Sequence, residues 1–140
     1  MTKHVVARRR SGYLHDIEIR EHRLIADEPE ASGGTDQGPD PPELLAASLA
    51  SCTAITIEMY ADRKEWGLGT VEVSVDYDKA TADDPPTFNV TITLGAELSE
   101  ENRDRLVTIA GKCPVHKALK SQEVVIHDSL EFIEEAEDED

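Results

Sequence analysis

Between residues 3 and 26 the chain offers three short alternations of apolar and polar residues, HVVARR, YLHDIEI and HRLIAD, broken at Ser11, Gly12 and around Glu21. A period of two places successive side chains on opposite faces of an extended chain, so the spacing predicts a meander of short strands. The stretch EPEASGGTDQGPDPP follows, too rich in Gly, Pro and Asp for regular structure. It ends in a helix start. Asp40 is placed to cap, Pro41 suits the first helical position, and Glu43 stands three residues after the cap, the spacing of a capping box. Neither Gly nor Pro occurs from Glu43 to Trp66, which predicts a helix of about six turns that stops at Gly67.

The first half of that helix, Leu44 to Cys52, is apolar or small all the way round, whereas EMYADRKEW is mostly polar. A helix apolar on every side is buried on every side, so this half is expected to thread the centre of the domain or of a dimer. Beyond it, TVEVSVDYDKA and TFNVTITLGAEL alternate around the turn material TADDPP and predict a long antiparallel hairpin. Val71, Val73, Val75 and Tyr77 line one face, opposite Phe88, Val90, Ile92 and Leu94. Ser99 caps a second helix with Leu106, Ile109 and Ala110 on one side, and Cys113 and Pro114 begin a short third one. EVVIHDSLEFI is expected to form a last strand. The order gives one α+β domain over residues 1–133, without internal repeats, and an acidic tail over 134–140 that is expected to be disordered.

Charge narrows the partners. A formal net charge of −16, from 30 acidic against 14 basic residues, repels nucleic acid and anionic membrane alike. The terminal EEAEDED supplies six of the negative charges, and the acidic, lysine-poor surface also resembles that of proteins working at high salt. The N-terminal MTKHVVARRRSGY lacks the apolar run of a secretory signal, and no segment is expected to reach the length of a membrane span, which points to the cytoplasm. Thiols are kept reduced there, so Cys52 and Cys113 are expected to be free or catalytic, not a permanent bridge. One such pair does not make a zinc site, His4, His15, His22 and His127 have no metal-ligand spacing, and neither metal nor cofactor is expected.

Each cysteine has two readings. Cys52 is either a small buried hydrophobe or a thiolate. As a thiolate it needs help from elsewhere in the fold, because it lies more than two turns from the helix start, beyond the reach of the helix dipole. Cys113, directly before Pro114, is either a plain cap or a thiol acidified by unpaired backbone N–H groups. Leu45, Leu49 and Met59 share a helix face with Cys52 and could line a pocket for an apolar ligand. His116 lies three residues after Cys113, weak evidence for metal without further ligands.

Two motifs taken together, GPDPPELLAASLASCTAITIEMYADRKEW and, after an acidic hairpin, CPVHKAL, resemble the OsmC/Ohr superfamily, the osmotically inducible and organic hydroperoxide resistance proteins. The resemblance runs from about Arg10 to Ile133, and within the superfamily the sequence is closer to a less characterised OsmC-like branch. It implies an α+β fold built as an intertwined homodimer, with antiparallel sheets, long central helices and active sites at the subunit interface. It implies that Cys52 is the peroxidatic thiolate, that Cys113 resolves it, that the substrate is a small organic hydroperoxide, and that a dithiol restores the pair. The hydroperoxidase branch carries a glutamate ten residues before the first cysteine, where it holds an arginine against the thiolate. Here that position is Pro42. Glu43, nine residues before Cys52, is left with capping or catalysis as its role, and Arg10 is the nearest positional match for the arginine within the ambiguous run RRR. Two other functions stay open: a small-ligand-binding dimer without turnover, and a stress-related structural dimer whose thiols simply pack.

Overall fold

A computed structural model describes residues 2–133, so the tail assigned to 134–140 lies outside the described residues. Three strands, β1 (Val5–Ser11), β2 (Leu14–Ile19) and β3 (His22–Ala26), form an antiparallel sheet in sequence order. The register runs from Val5 opposite Ile19 to Ser11 opposite Leu14, with a shift between Arg9 and Ser11. Antiparallel neighbours need only tight turns between them, and Gly12 and Arg20 supply the positive φ angles at the two turns, 54° and 55°.

The Gly- and Pro-rich loop is organised by one buried carboxylate. Asp27 accepts hydrogen bonds from the Gln37 N–H (3.1 Å), the Thr35 hydroxyl (2.7 Å) and the Glu28 N–H (2.7 Å). These donors, led by the Gln37 N–H, hold its pKa below the ordinary aspartate value against the opposing effect of desolvation. The loop folds so tightly that a Cβ at Gly34 would lie 1.9 Å from the Glu28 carbonyl oxygen. This fixes the entry of α1 (Pro41–Lys64), where the Asp40 carboxylate accepts from the Glu43 N–H and the Glu43 carboxylate accepts from the Asp40 N–H, both at 2.9 Å. The capping box read from the sequence is therefore closed in both directions.

The helix ends two residues earlier than the sequence suggested. Glu65, not Gly67, takes the left-handed conformation (φ 60°), and its N–H returns to the Ala61 and Asp62 carbonyls. Trp66 can then fold back edge-on to Tyr60, with ring centroids 5.5 Å apart. A second expectation also changes. The helix is long and apolar enough to cross a membrane by length and composition, contrary to the sequence reading that no segment reaches such a span. Here it packs instead against the hairpin and the two later helices, as the central helix of the domain.

The hairpin of β4 (Val71–Asp78) and β5 (Thr87–Leu94) has the register that alternation required. Val71 faces Leu94, Val73 faces Ile92, Val75 faces Val90 and Tyr77 faces Phe88. Its apolar face lies on α1, together with α2 (Glu100–Ala110) and α3 (Pro114–Lys120). Ile57, Ala61, Leu68, Leu106 and Ala110 form the centre of the core.

Burial around α1 is one-sided. Leu49, Thr53, Ile57 and Ala61 recur every fourth residue as a buried stripe. Leu45, Ile55 and Met59 remain 39%, 49% and 62% exposed, so the all-round burial expected for the first half does not occur within one chain. The expected last strand is also absent. Residues 122–133 have no regular structure, and Val124, Ile126, Leu130 and Phe132 are exposed; a strand needs a neighbouring edge, and this segment pairs with none of the described strands.

Ile57 is wholly buried, so Ile57→Ala should cost about 2–5 kcal/mol of stability, measured by urea unfolding. Asp27 gives an acid-side prediction. Its folded pKa is depressed, so its contribution is fully present above the unfolded aspartate value, about 3.9, and is lost as pH falls through the folded one. Asp27→Asn should melt at a lower temperature at neutral pH and lose less of its melting temperature than the native chain between about pH 4 and 2. Parallel acid profiles would refute the assignment.

Candidate active site

Helix α1 carries Cys52 on the flank of its buried stripe, one turn beyond Leu49, and α3 packs against this part of the helix. Gly111 and Lys112 turn the chain between α2 and α3 and leave Cys113 as the N-cap of α3. The Cys113 sulfur accepts a hydrogen bond from the His116 N–H at 3.2 Å. Both cysteines are free thiols. Cys113 is fully buried, whereas Cys52 is only partly covered.

The electrostatics of Cys113 differ from the sequence expectation. Burial raises its pKa most, and a hydrogen-bonding interaction with the Cys52 thiol raises it further. The backbone N–H groups of His116 and Val115 act in the opposite direction and do not prevail. Desolvation penalises a thiolate more than these N–H groups stabilise it. Cys113 is thus held as a neutral thiol. The pairing of the two cysteines was implied by the family resemblance, and Cys52 is among the groups that act on Cys113.

Arg10 and Glu43 are placed elsewhere within the chain. Arg10 forms an ion pair with Asp16 across β1 and β2, with its Nε donating at 3.1 Å, and this partner raises its pKa while lowering that of Asp16. Glu43 caps α1 and borders a cavity of about 660 Å³ that also holds Asp40, Asp76 and Lys79. Neither cysteine lines that cavity.

A second cavity, of about 490 Å³, opens between α1, the hairpin and α3. Leu45 and Leu49 line it, as expected from the helix face, but Met59 does not. Phe88, Val90 and Leu119 complete its apolar wall, and His116 and Lys120 complete its border. The sequence reading left His116 as a neighbour of Cys113 and did not single out Lys120. The available signal was their spacing of four residues on a short helix, which puts both on one face. Among the described residues no cluster of three or more His, Cys, Asp or Glu side chains is arranged to hold a metal ion.

The OsmC-like protein family matches over residues 34–127, a span that includes both cysteines. No match was found among curated proteins. Among solved structures, the chain is similar to a Psychrobacter arcticus protein provisionally assigned to osmotic stress induction and detoxification, at 25% identity and a TM-score of 0.69, covering 84% of this chain and 87% of that one. It is similar to the organic hydroperoxide resistance protein OhrB of Bacillus subtilis at 26% identity and a TM-score of 0.58, covering 87% and 93%. An organic hydroperoxide resistance protein OsmC of Legionella pneumophila shares the fold at 22% identity and a TM-score of 0.64, over 86% and 90%. The α+β architecture with antiparallel sheets is that of these structures.

The unequal exposure of the thiols predicts unequal labelling. A maleimide should modify Cys52 in the folded protein, while Cys113 in a Cys52→Ala variant should react only as fast as the chain unfolds. The raised pKa of Cys113 also acts on stability. Above about pH 8.5 the unfolded thiol ionises while the folded one keeps its proton, so stability falls as pH rises. Replacing Cys113 by Ala should flatten that alkaline slope in denaturant titrations.

Proposed function

The chain belongs to the OsmC-like protein family, and from that membership together with the thiol geometry we propose that it is a thiol peroxidase for organic hydroperoxides. Cys52 is the attacking sulfur and Cys113 the resolving thiol. The observation that carries this reading is the asymmetric pair: the Cys52 sulfur is partly open, and Cys113, on which Cys52 acts, is buried with its pKa raised.

The chemistry balances with a dithiol as the only co-reactant. The Cys52 thiolate attacks one peroxide oxygen, an S–O bond forms as the O–O bond breaks, and the departing alkoxide takes up a proton to leave as an alcohol. Cys52 is then a sulfenic acid. The Cys113 sulfur gives up its proton and displaces the sulfenic oxygen as water, forming a disulfide. A dithiol reduces that bond by two successive exchanges and is itself oxidised to a disulfide. Because Cys113 is buried and neutral, it does not compete for peroxide. It reacts with the one electrophile placed against it.

In this reading Arg10 and Glu43 form the charged pair that supports the Cys52 thiolate. That role requires Arg10 either to leave Asp16 or to reach the site from a second copy of the chain. A homodimer belongs to the same proposal. The exposed apolar residues Leu45, Ile55 and Met59 on α1 and the unpaired segment Val124 to Ile133 support it, since together they leave more apolar surface than a lone domain keeps open. A cytoplasmic location suits two thiols that function reduced. A ligand-binding dimer without turnover is the rival, favoured by the engagement of Arg10 and Glu43 elsewhere in the chain.

With a limiting dose of an organic hydroperoxide, Cys113→Ser should accumulate a sulfenic acid on Cys52 that dimedone traps, and Cys52→Ser should consume no peroxide above background. If the native protein reacts no faster than a free thiol, the peroxidase reading fails and the binding dimer replaces it. Light scattering should report twice the chain mass, and a clean monomer would remove the interface from the proposal.

A further inference from the structure

From Arg105 to Gln122 the chain has no carboxylate, the longest such run in a sequence with 30 acidic residues. Within it lie Lys112, Lys117 and Lys120, half of the six lysines. The run forms the end of α2, the turn that leads into Cys113, and α3. All three lysines are exposed, and among the described residues none of them forms an ion pair. The other basic region, the N-terminal sheet, differs in this respect: there Arg8, Arg10 and Arg23 are offset by Asp16 and Glu18. The lysines around α3 therefore present unbalanced positive charge on a molecule whose field is otherwise negative. They also surround the redox pair, since Lys112 directly precedes Cys113 and Cys52 is among the groups that act on Cys113.

We propose that Lys112, Lys117 and Lys120 form the docking surface for a protein dithiol whose own surface is acidic. The inference rests on the peroxidase reading above and names the partner that completes its cycle. With only two cysteines in the chain, a Cys52–Cys113 disulfide is reopened by thiols from outside it. One partner thiolate attacks the more open Cys52 sulfur, a new S–S bond forms as the Cys52–Cys113 bond breaks, and the Cys113 sulfur takes up a proton. The partner's second thiol loses its proton, attacks the partner sulfur of the mixed disulfide and releases Cys52, so that two electrons pass to the pair and the partner leaves as a disulfide. Charge decides the approach. A net charge of −16 repels an acidic partner from most of the molecule and leaves it the lysine-bearing face, whereas a basic partner is drawn to acidic surface away from the thiols. From Lys112 to Lys120 the surface extends roughly 10 Å at 1.5 Å per helical residue, the width of a contact with a folded partner and more than a small dithiol covers.

The probes are two synthetic peptides containing Cys-Gly-Pro-Cys, one flanked on each side by three glutamates and the other by three lysines. The full chain is oxidised with diamide, which takes both thiol hydrogens and leaves the Cys52–Cys113 disulfide, so no peroxide is needed. Its rate of reduction by each peptide is divided by that peptide's rate with neutral hydroxyethyl disulfide, which removes the difference in intrinsic thiol reactivity. The glutamate peptide should be faster by roughly threefold or more, the range of a few exposed ion pairs. Changing Lys112, Lys117 and Lys120 together to Gln should abolish or reverse the preference, and changing them to Arg should keep it. Changing Lys3, Lys64 and Lys79 to Gln removes the same charge elsewhere and should leave the preference in place. Equal rates or a faster lysine peptide in the native chain overturn the inference, as does failure of diamide to form the disulfide. Light scattering of the Lys112, Lys117 and Lys120 Gln variant should match the native mass; a fall to half assigns these lysines to contact between copies and also overturns it. Peroxide consumption with dithiothreitol is read separately. If the native chain prefers the glutamate peptide but consumes an organic hydroperoxide no faster than a free thiol, the docking surface stands as that of a disulfide-exchange partner and the peroxidase falls.

Discussion

One buried stripe on α1 decides where everything else can go. Leu49, Thr53, Ile57 and Ala61 form a continuous ridge along the helix, because four residues at about 100° each overshoot a full turn by only about 40°. The hairpin and the two later helices all pack on α1, and only there does each find a cover for its own apolar side. Cys52 sits beside that stripe, and α3 must pack beside it as well. The influence of Cys52 on Cys113 is therefore a by-product of core packing, secured by the same residues that hold the domain together. A substitution that loosened α3 on α1 would alter thiol chemistry without touching either cysteine.

The same packing gives the two sulfurs unlike surroundings. Cys113 lies at the turn between α2 and α3, under full cover, where the cost of desolvating a thiolate exceeds what the His116 and Val115 N–H groups return. Cys52 is on the flank of the buried stripe of α1 and partly open. For a pair that works in sequence this inequality has a kinetic meaning. A resolving thiol that ionised freely would meet oxidant and alkylating agents on its own, whereas a buried protonated one reacts only with a neighbour already in contact.

What the sequence disclosed depends on whether a feature is local. The capping box at Asp40 and Glu43 was legible because its partners are three residues apart and its geometry is the same in every helix. The hairpin register was legible because period-two alternation allows only pairings that keep Val71, Val73, Val75 and Tyr77 on the face of Phe88, Val90, Ile92 and Leu94. Glu65 was missed as the helix end because its left-handed turn is favoured by the return of Trp66 onto Tyr60, and not by its own side chain. The balance at Cys113 was missed for a related reason. A cap position can be read from Cys-Pro, but burial is a property of the whole fold. The charged partners Arg10 and Glu43 came from the family resemblance, and within one chain each is held by a nearer group.

Two departures, the open face of α1 and the unstructured segment Glu123 to Ile133, share one origin. Periodicity states which residues need cover or a pairing edge, and says nothing about which chain provides it. Leu45, Ile55 and Met59 belong to a helix too apolar for a face left in water, and Val124, Val125 and Ile126 carry strand propensity yet pair with none of the described strands. A net charge of −16 opposes association of two copies at long range, yet the charges are unevenly placed. Arg8, Arg9, Arg10, Arg20 and Arg23 all fall in the N-terminal strands and their turns, while the later part of the chain is predominantly acidic. In the proposed homodimer, an arrangement that sets the arginine-bearing sheet of one copy over the acidic remainder of the other turns part of that repulsion into attraction. Salt weakens both terms, but it screens the long-range repulsion of the whole molecule more than close contacts at an interface. Apolar burial is not screened at all, so the balance shifts toward association as ionic strength rises, which is the condition the acidic, lysine-poor composition also suits.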